Sequence, residues 1–203
     1  MGVSPRDFQQ MQQRLAAPRR PARAAVTPTV VTRPSTAASV VLGVDPSLRG
    51  TGYGVIRTGR GGPKPVAQGV VHCPSAWERS RCLLRIAEAL RDVIREHRPG
   101  ACVIESLFYA QNYQTALIMG EARGACLVVV AEAGLAVYEM APRRVKQAIV
   151  GYGAAQKLAV AKMVQRILGL AEAPPGDAAD ALALALAYAQ EQGRYSLSPP
   201  KRL

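Results

Sequence analysis

The sequence predicts an α/β fold: a five-stranded mixed sheet with helices on both faces. Three observations predict it. Three strand-like runs crowd between residues 39 and 72, separated by Gly- and Pro-rich turns. Helical and strand-like patterns then alternate to residue 192. Hydrophobic residues make up 49% of the 203-residue chain, enough to bury one sizeable core.

The elements follow in order. SVVLGVD at 39–45 is a buried strand that ends on an acid. TGYGVIR at 51–57 and VAQGVVH at 66–72 are the next two strands, and their close spacing predicts an antiparallel meander. A helix over 79–97 places Leu83, Ile86, Ala87, Leu90, Val93 and Ile94 at helical spacing, and Pro99-Gly100 stops it. ACVIE at 101–105 is a short buried strand, again ending on an acid. A long helix over 112–133 and a strand over 135–140 come next. Pro142 opens a short helix, GYG at 151–153 is a loop, and helices cover 155–168 and 177–192. These elements define one domain, 39–193.

The flanks differ. Residues 1–38 carry Arg6, Arg14, Arg19, Arg20, Arg23 and Arg33 against one acid, Asp7, and many prolines. Such a segment has little to bury and reads as a disordered basic extension. An inert tail, a phosphate-contacting arm and an organellar transit peptide all fit its composition. Residues 194–203 read as a frayed tail.

Lys and Arg outnumber Asp and Glu by 26 to 14, giving a net charge of +12. A chain this basic usually meets a polyanion, and the plainer alternative is charge that serves solubility. The four cysteines, Cys73, Cys82, Cys102 and Cys126, sit in apolar segments without CxxC spacing. They read as buried, reduced thiols of a cytoplasmic protein. No apolar run is expected to span a membrane.

Carboxylates stand where apolar residues are expected. Asp45 follows VLGV, Glu105 follows CVI, and Asp177 and Asp180 interrupt an Ala- and Leu-rich helix. A carboxylate in such surroundings costs several kcal/mol unless it is paired, wet or bound to metal. Parallel strands open on one sheet edge, and residues three apart share one helix face. One pocket could therefore collect all four. Two carboxylates about 4 Å apart repel by roughly 4 kcal/mol at an effective dielectric near 20, so a divalent cation is expected among them. All-oxygen ligation suits Mg²⁺ or Mn²⁺. Each acid also has a bland reading: Asp45 as a turn residue, Asp177 as a helix-start acid, Glu105 as half of an ion pair.

Other chemistries fit worse. Only His72 and His97 are available for a histidine-based triad. There is no GxSxG elbow and no GxxxxGK[ST] loop. An actin-like phosphotransferase would need a second glycine-rich phosphate loop, which is missing.

The order of motifs resembles one family. VLGVDPSLRGTGYGVI at 41–56, IESLFYAQN at 104–112, GEARG at 120–124, VKQ at 145–147, GYGAAQK at 151–157 and DAADALA at 177–183 are similar to the RuvC crossover junction endonucleases. The resemblance implies a ribonuclease H-like fold and a homodimer. It implies Mg²⁺-dependent paired nicking of four-way (Holliday) junction DNA during homologous recombination and repair, with two ions per subunit and Mn²⁺ as a substitute. Asp45, Glu105, Asp177 and Asp180 fall on the family's catalytic, metal-binding acids. Phe108 falls on its DNA-stacking aromatic, and Lys146 and Lys157 on its DNA-contacting lysines. A RuvA–RuvB branch-migration complex is the implied partner. Gln111, Glu121, Ala159 and Ser47 depart from the usual pattern, and none of them is an expected metal ligand.

Overall fold

A computed structural model of the chain describes residues 39–106, 113–192 and 200–203. All of these belong to one compact unit, Pro34–Leu203. Strands β1 (Ser39–Asp45), β2 (Gly50–Thr58) and β3 (Lys64–His72) lead, as the sequence predicts. Helix α1 (Arg79–His97), β4 (Ala101–Glu105), α2 (Tyr113–Glu132) and β5 (Ala136–Met140) follow. Helices α3 (Pro142–Val150), α4 (Lys157–Leu168) and α5 (Gly176–Gln192) complete the domain.

With a short sixth strand, β6 (Lys201–Arg202), the sheet order is β3-β2-β1-β4-β5-β6. The β1/β2 and β2/β3 pairs are antiparallel, which bears out the meander. The β1/β4 and β4/β5 pairs are parallel. Side chains on a strand alternate between the two faces of its sheet. Val41 and Val103 enter a core with α3, α4 and α5, whereas Leu42, Val44, Cys102 and Ile104 enter a second core with α1 and α2. The helices thus cover both faces. All four cysteines are buried and free.

Two expectations need correction. The tail is paired where it is described: β6 (Lys201–Arg202) runs antiparallel to β5, and the Leu203 amide donates to the Val137 carbonyl at 3.0 Å. Two residues after a proline pair carry no periodic signal, and the open edge of β5 supplies their partners. The second correction concerns apolar length. Helix α2 spans 20 residues with a mean hydropathy of 1.3, so by length and composition it could cross a membrane. Its inner side packs Ala122, Cys126, Val129 and Val130 into the second core, and Glu121 and Arg123 lie mid-helix.

Candidate active site

Asp45 closes β1 and Glu105 closes β4, and these neighbouring strands run parallel. Both carboxylates therefore leave the sheet at one edge. Asp177 lies in the first turn of α5 and Asp180 one turn later. That helix buries its Ala and Leu residues against β1 and β2. Glycines set how closely it lies. A methyl group at Gly43 would collide with the Ala181 carbonyl oxygen, and one at Gly52 with the Asp177 carbonyl oxygen. Gly52 pairs directly with Asp45 across the ladder. The bare strand backbone thus brings the acid-bearing turn of α5 down beside Asp45.

The four acids line one cavity of about 310 Å³, together with Lys146 and Lys157. Each acid is half-buried. Burial raises the Asp45 carboxyl from 3.8 to about 8, and the charges of Glu105 and Asp180 push the same way against Lys157. Glu105 is also raised, first by burial and then by the charge of Asp180, while hydrogen bonding with Asp45 opposes the rise. Burial thus disfavours the charged form of both strand-end acids. Lys157 Nζ lies 2.9 Å from Asp180 Oδ2. This bond, before all else, raises the lysine pKa. Arg144 braces α3, the helix of Lys146, to α5 through a two-pronged bond to Glu191 at 2.5 and 2.8 Å.

The sequence expects the four acids in one pocket, and they line one. As the side chains stand, no three His, Cys, Asp or Glu among the described residues form a cluster that could hold a metal ion. Asp180 bonds Lys157, and its charge bears on both Asp45 and Glu105. Phe108 lies outside the described residues.

Some contributors escaped the sequence reading. Thr51, fully buried, accepts a bond from the Ser47 amide at 3.2 Å and donates to the Ser47 carbonyl at 2.6 Å. It ties down the turn that follows Asp45. Glycine inside a strand is the one signal that marked the close helix approach. Nothing in the pattern marked Thr51.

Comparison with known proteins agrees with this arrangement. The family model described as crossover junction endodeoxyribonuclease RuvC matches residues 41–188. The RuvC of Syntrophomonas wolfei is 44% identical over 149 residues, covering 73% of this chain and 87% of that protein. The RuvC of Geobacter metallireducens is 45% identical over 153 residues, covering 75% and 93%. The structure of T. thermophilus RuvC in complex with Holliday junction substrate superposes with a TM-score of 0.74. It is 37% identical, covering 81% of this chain and 99% of that one. The mixed sheet and its two helical layers are accordingly a ribonuclease H-like fold. With the family model spanning most of the chain, and relatives of this identity beside it, the protein belongs to the RuvC family of crossover junction endodeoxyribonucleases, hydrolases that cleave DNA.

Proposed function

We propose that this protein is a Mg²⁺-dependent endonuclease that resolves four-way DNA junctions by paired nicks, in homologous recombination and repair. One observation carries the reading: four carboxylates, from two parallel strand ends and one helix, face a single cavity beside two lysines. The relatives' shared name and the junction-bound neighbour support the substrate class.

Asp45, Glu105, Asp177 and Asp180 are the candidate ligands. Their hard oxygen donors suit Mg²⁺, with Mn²⁺ as a substitute. The raised Asp45 and Glu105 carboxyls are an unmet demand for positive charge in the cavity. Ligation requires Asp45 to release its proton and Asp180 to turn away from Lys157. Two bound ions would supply an activated water and a stabilised leaving oxygen for in-line phosphodiester hydrolysis. Asp45 lies centrally, because the charges of all three other acids bear on it. Lys157 and Lys146, which line the same cavity, would offset the charge of the phosphate backbone. Phe108 is assigned to stacking on an unpaired base near the crossover.

Paired nicks need two active sites, so a homodimer belongs to the proposal. Helix α2 supports it. Tyr113, Leu117 and Val128 are exposed at 76%, 47% and 56%. They fall on one helical face with Gly120 and Gly124, where an added Cβ would meet nothing. A second helix could approach that face closely. A cytoplasmic location and a RuvA–RuvB motor as partner complete the reading.

A synthetic four-way junction with each strand labelled in turn provides the test. The proposal expects two strands of like polarity to be cut near the crossover with Mg²⁺ and none in EDTA. Equal cutting of linear duplex, or no cutting with Mg²⁺, contradicts it.

A further inference from the structure

The GEARG segment at 120–124 contains an arginine to which the proposed reaction gives no task. Arg123 projects inward from α2, with a side chain only 13% exposed. Its Nε donates to the main-chain carbonyl oxygen of Glu105 at 3.3 Å. Its Nη2 donates to Glu139 Oε1 at 2.7 Å, and that carboxylate is 18% exposed. Glu139 lies on β5, where it pairs in register with Ile104 of β4. Lys201 Nζ reaches the other Glu139 oxygen at 3.7 Å. One guanidinium thus joins α2, the last residue of β4 and the strand beside it.

The charges that bear on the Glu105 carboxyl are those of Asp180, Lys157 and Lys146. Arg123 reaches the peptide instead. The position matters because β4 ends at Glu105. The next peptide is held through the Ser106 amide, which donates to the Met140 carbonyl at 2.9 Å. The Glu105 carbonyl receives its bond from Arg123. With both peptide groups fixed, the Glu105 side chain leaves the strand in one direction, toward Asp45. A charge-assisted bond is shorter and stronger than a neutral one, and a half-buried guanidinium with a carboxylate partner is well suited to such a hold.

We infer that Arg123, neutralised by Glu139, is a positioning residue for the metal centre: it fixes the main chain at Glu105 so that this carboxylate is aimed into the cavity. The inference rests on the proposed role of Glu105 as a metal ligand. Arg123 acts through the Glu105 main chain.

The test uses the full chain, with Mn²⁺ binding to metal-free protein read by calorimetry, and junction binding in EDTA and melting temperature alongside. Arg123→Met is expected to bind Mn²⁺ about 10- to 100-fold more weakly, the range for loss of a group that orients a ligand. It should need correspondingly more Mg²⁺ for half-maximal cleavage, while junction binding in EDTA stays at the wild-type level. Arg123→Lys should recover part of the loss, because one ammonium can serve the carbonyl or Glu139 but lacks the fork to hold both. Wild-type Mn²⁺ affinity in a folded Arg123→Met overturns the inference. If that variant does not fold, wild-type affinity in Arg123→Lys overturns it as well. A wild-type protein that binds no Mn²⁺ and cuts no junction overturns the functional reading itself, and this inference with it.

Discussion

Replacing Gly52 by alanine isolates the fit of α5 on the sheet. Gly52 pairs with Asp45, and an added methyl would collide with the Asp177 carbonyl oxygen and lie 3.1 Å from the Ala178 amide nitrogen. These are backbone atoms, so no side chain can rotate away. The first turn of α5, carrying Asp177 and Asp180, must retreat from Asp45. Overpacking of this kind costs about 1–3 kcal/mol of stability. A displacement of about 1 Å at a reacting centre costs about 100-fold in rate. The loss of cleavage should therefore far exceed the loss of folded protein. The assay is junction cleavage at saturating Mg²⁺, with junction binding in EDTA and melting temperature measured on the same preparation. Gly61→Ala is the control, because an added Cβ there meets nothing. A folded Gly52→Ala that cuts at the wild-type rate would refute the claim that this glycine sets the acid geometry.

Three further outcomes follow from the charges and surfaces. Asp45 holds its proton in the fold up to about pH 8 but releases it near pH 3.8 when unfolded, so its stabilising contribution is full below the lower value and gone above the higher. Metal-free protein should therefore lose stability between about pH 5 and about pH 8, by at most a few kcal/mol at about 1.4 kcal/mol per unit, read as a falling melting temperature. Asp45→Asn should flatten that slope, keep junction binding and abolish cleavage; an unchanged slope, or wild-type cutting, contradicts the assignment. Lys157→Met should reduce the steepness of junction affinity against salt by about one phosphate contact, and an identical salt slope would leave the lysine without a phosphate. Leu117→Glu combined with Val128→Glu should give a monomer in sedimentation and scattered single nicks, since both residues are exposed on α2; a dimer that survives both changes places its interface elsewhere.

Much of this could be read from the sequence because the responsible patterns are local. Short, continuous apolar runs in VVLGV and CVI marked the strands, and each strand ended on an acid that lines the cavity. Helical spacing gave α1 and three of its buried residues, Ile86, Leu90 and Val93, while Cys82, the fourth, lay outside the expected stripe. Contacts between distant segments were not legible. The bond from Arg123 to the Glu105 carbonyl joins residues 18 apart, and no periodicity marks it. The Lys157–Asp180 pair depends on how α4 lies beside α5. β6 was missed because two residues hold no pattern and its order comes from the edge of β5. The apolar length of α2 was missed because Glu121 and Arg123 divide it into short runs.

The central claim is that Asp45, Glu105, Asp177 and Asp180 share divalent ions. The most direct measurement is diffraction from crystals soaked in Mn²⁺, collected where manganese scatters anomalously. The account predicts anomalous peaks inside the cavity bounded by these four carboxylates, with Asp180 turned off Lys157. Peaks only at the surface, with Asp180 still bonded to Lys157 under excess Mn²⁺, would contradict it.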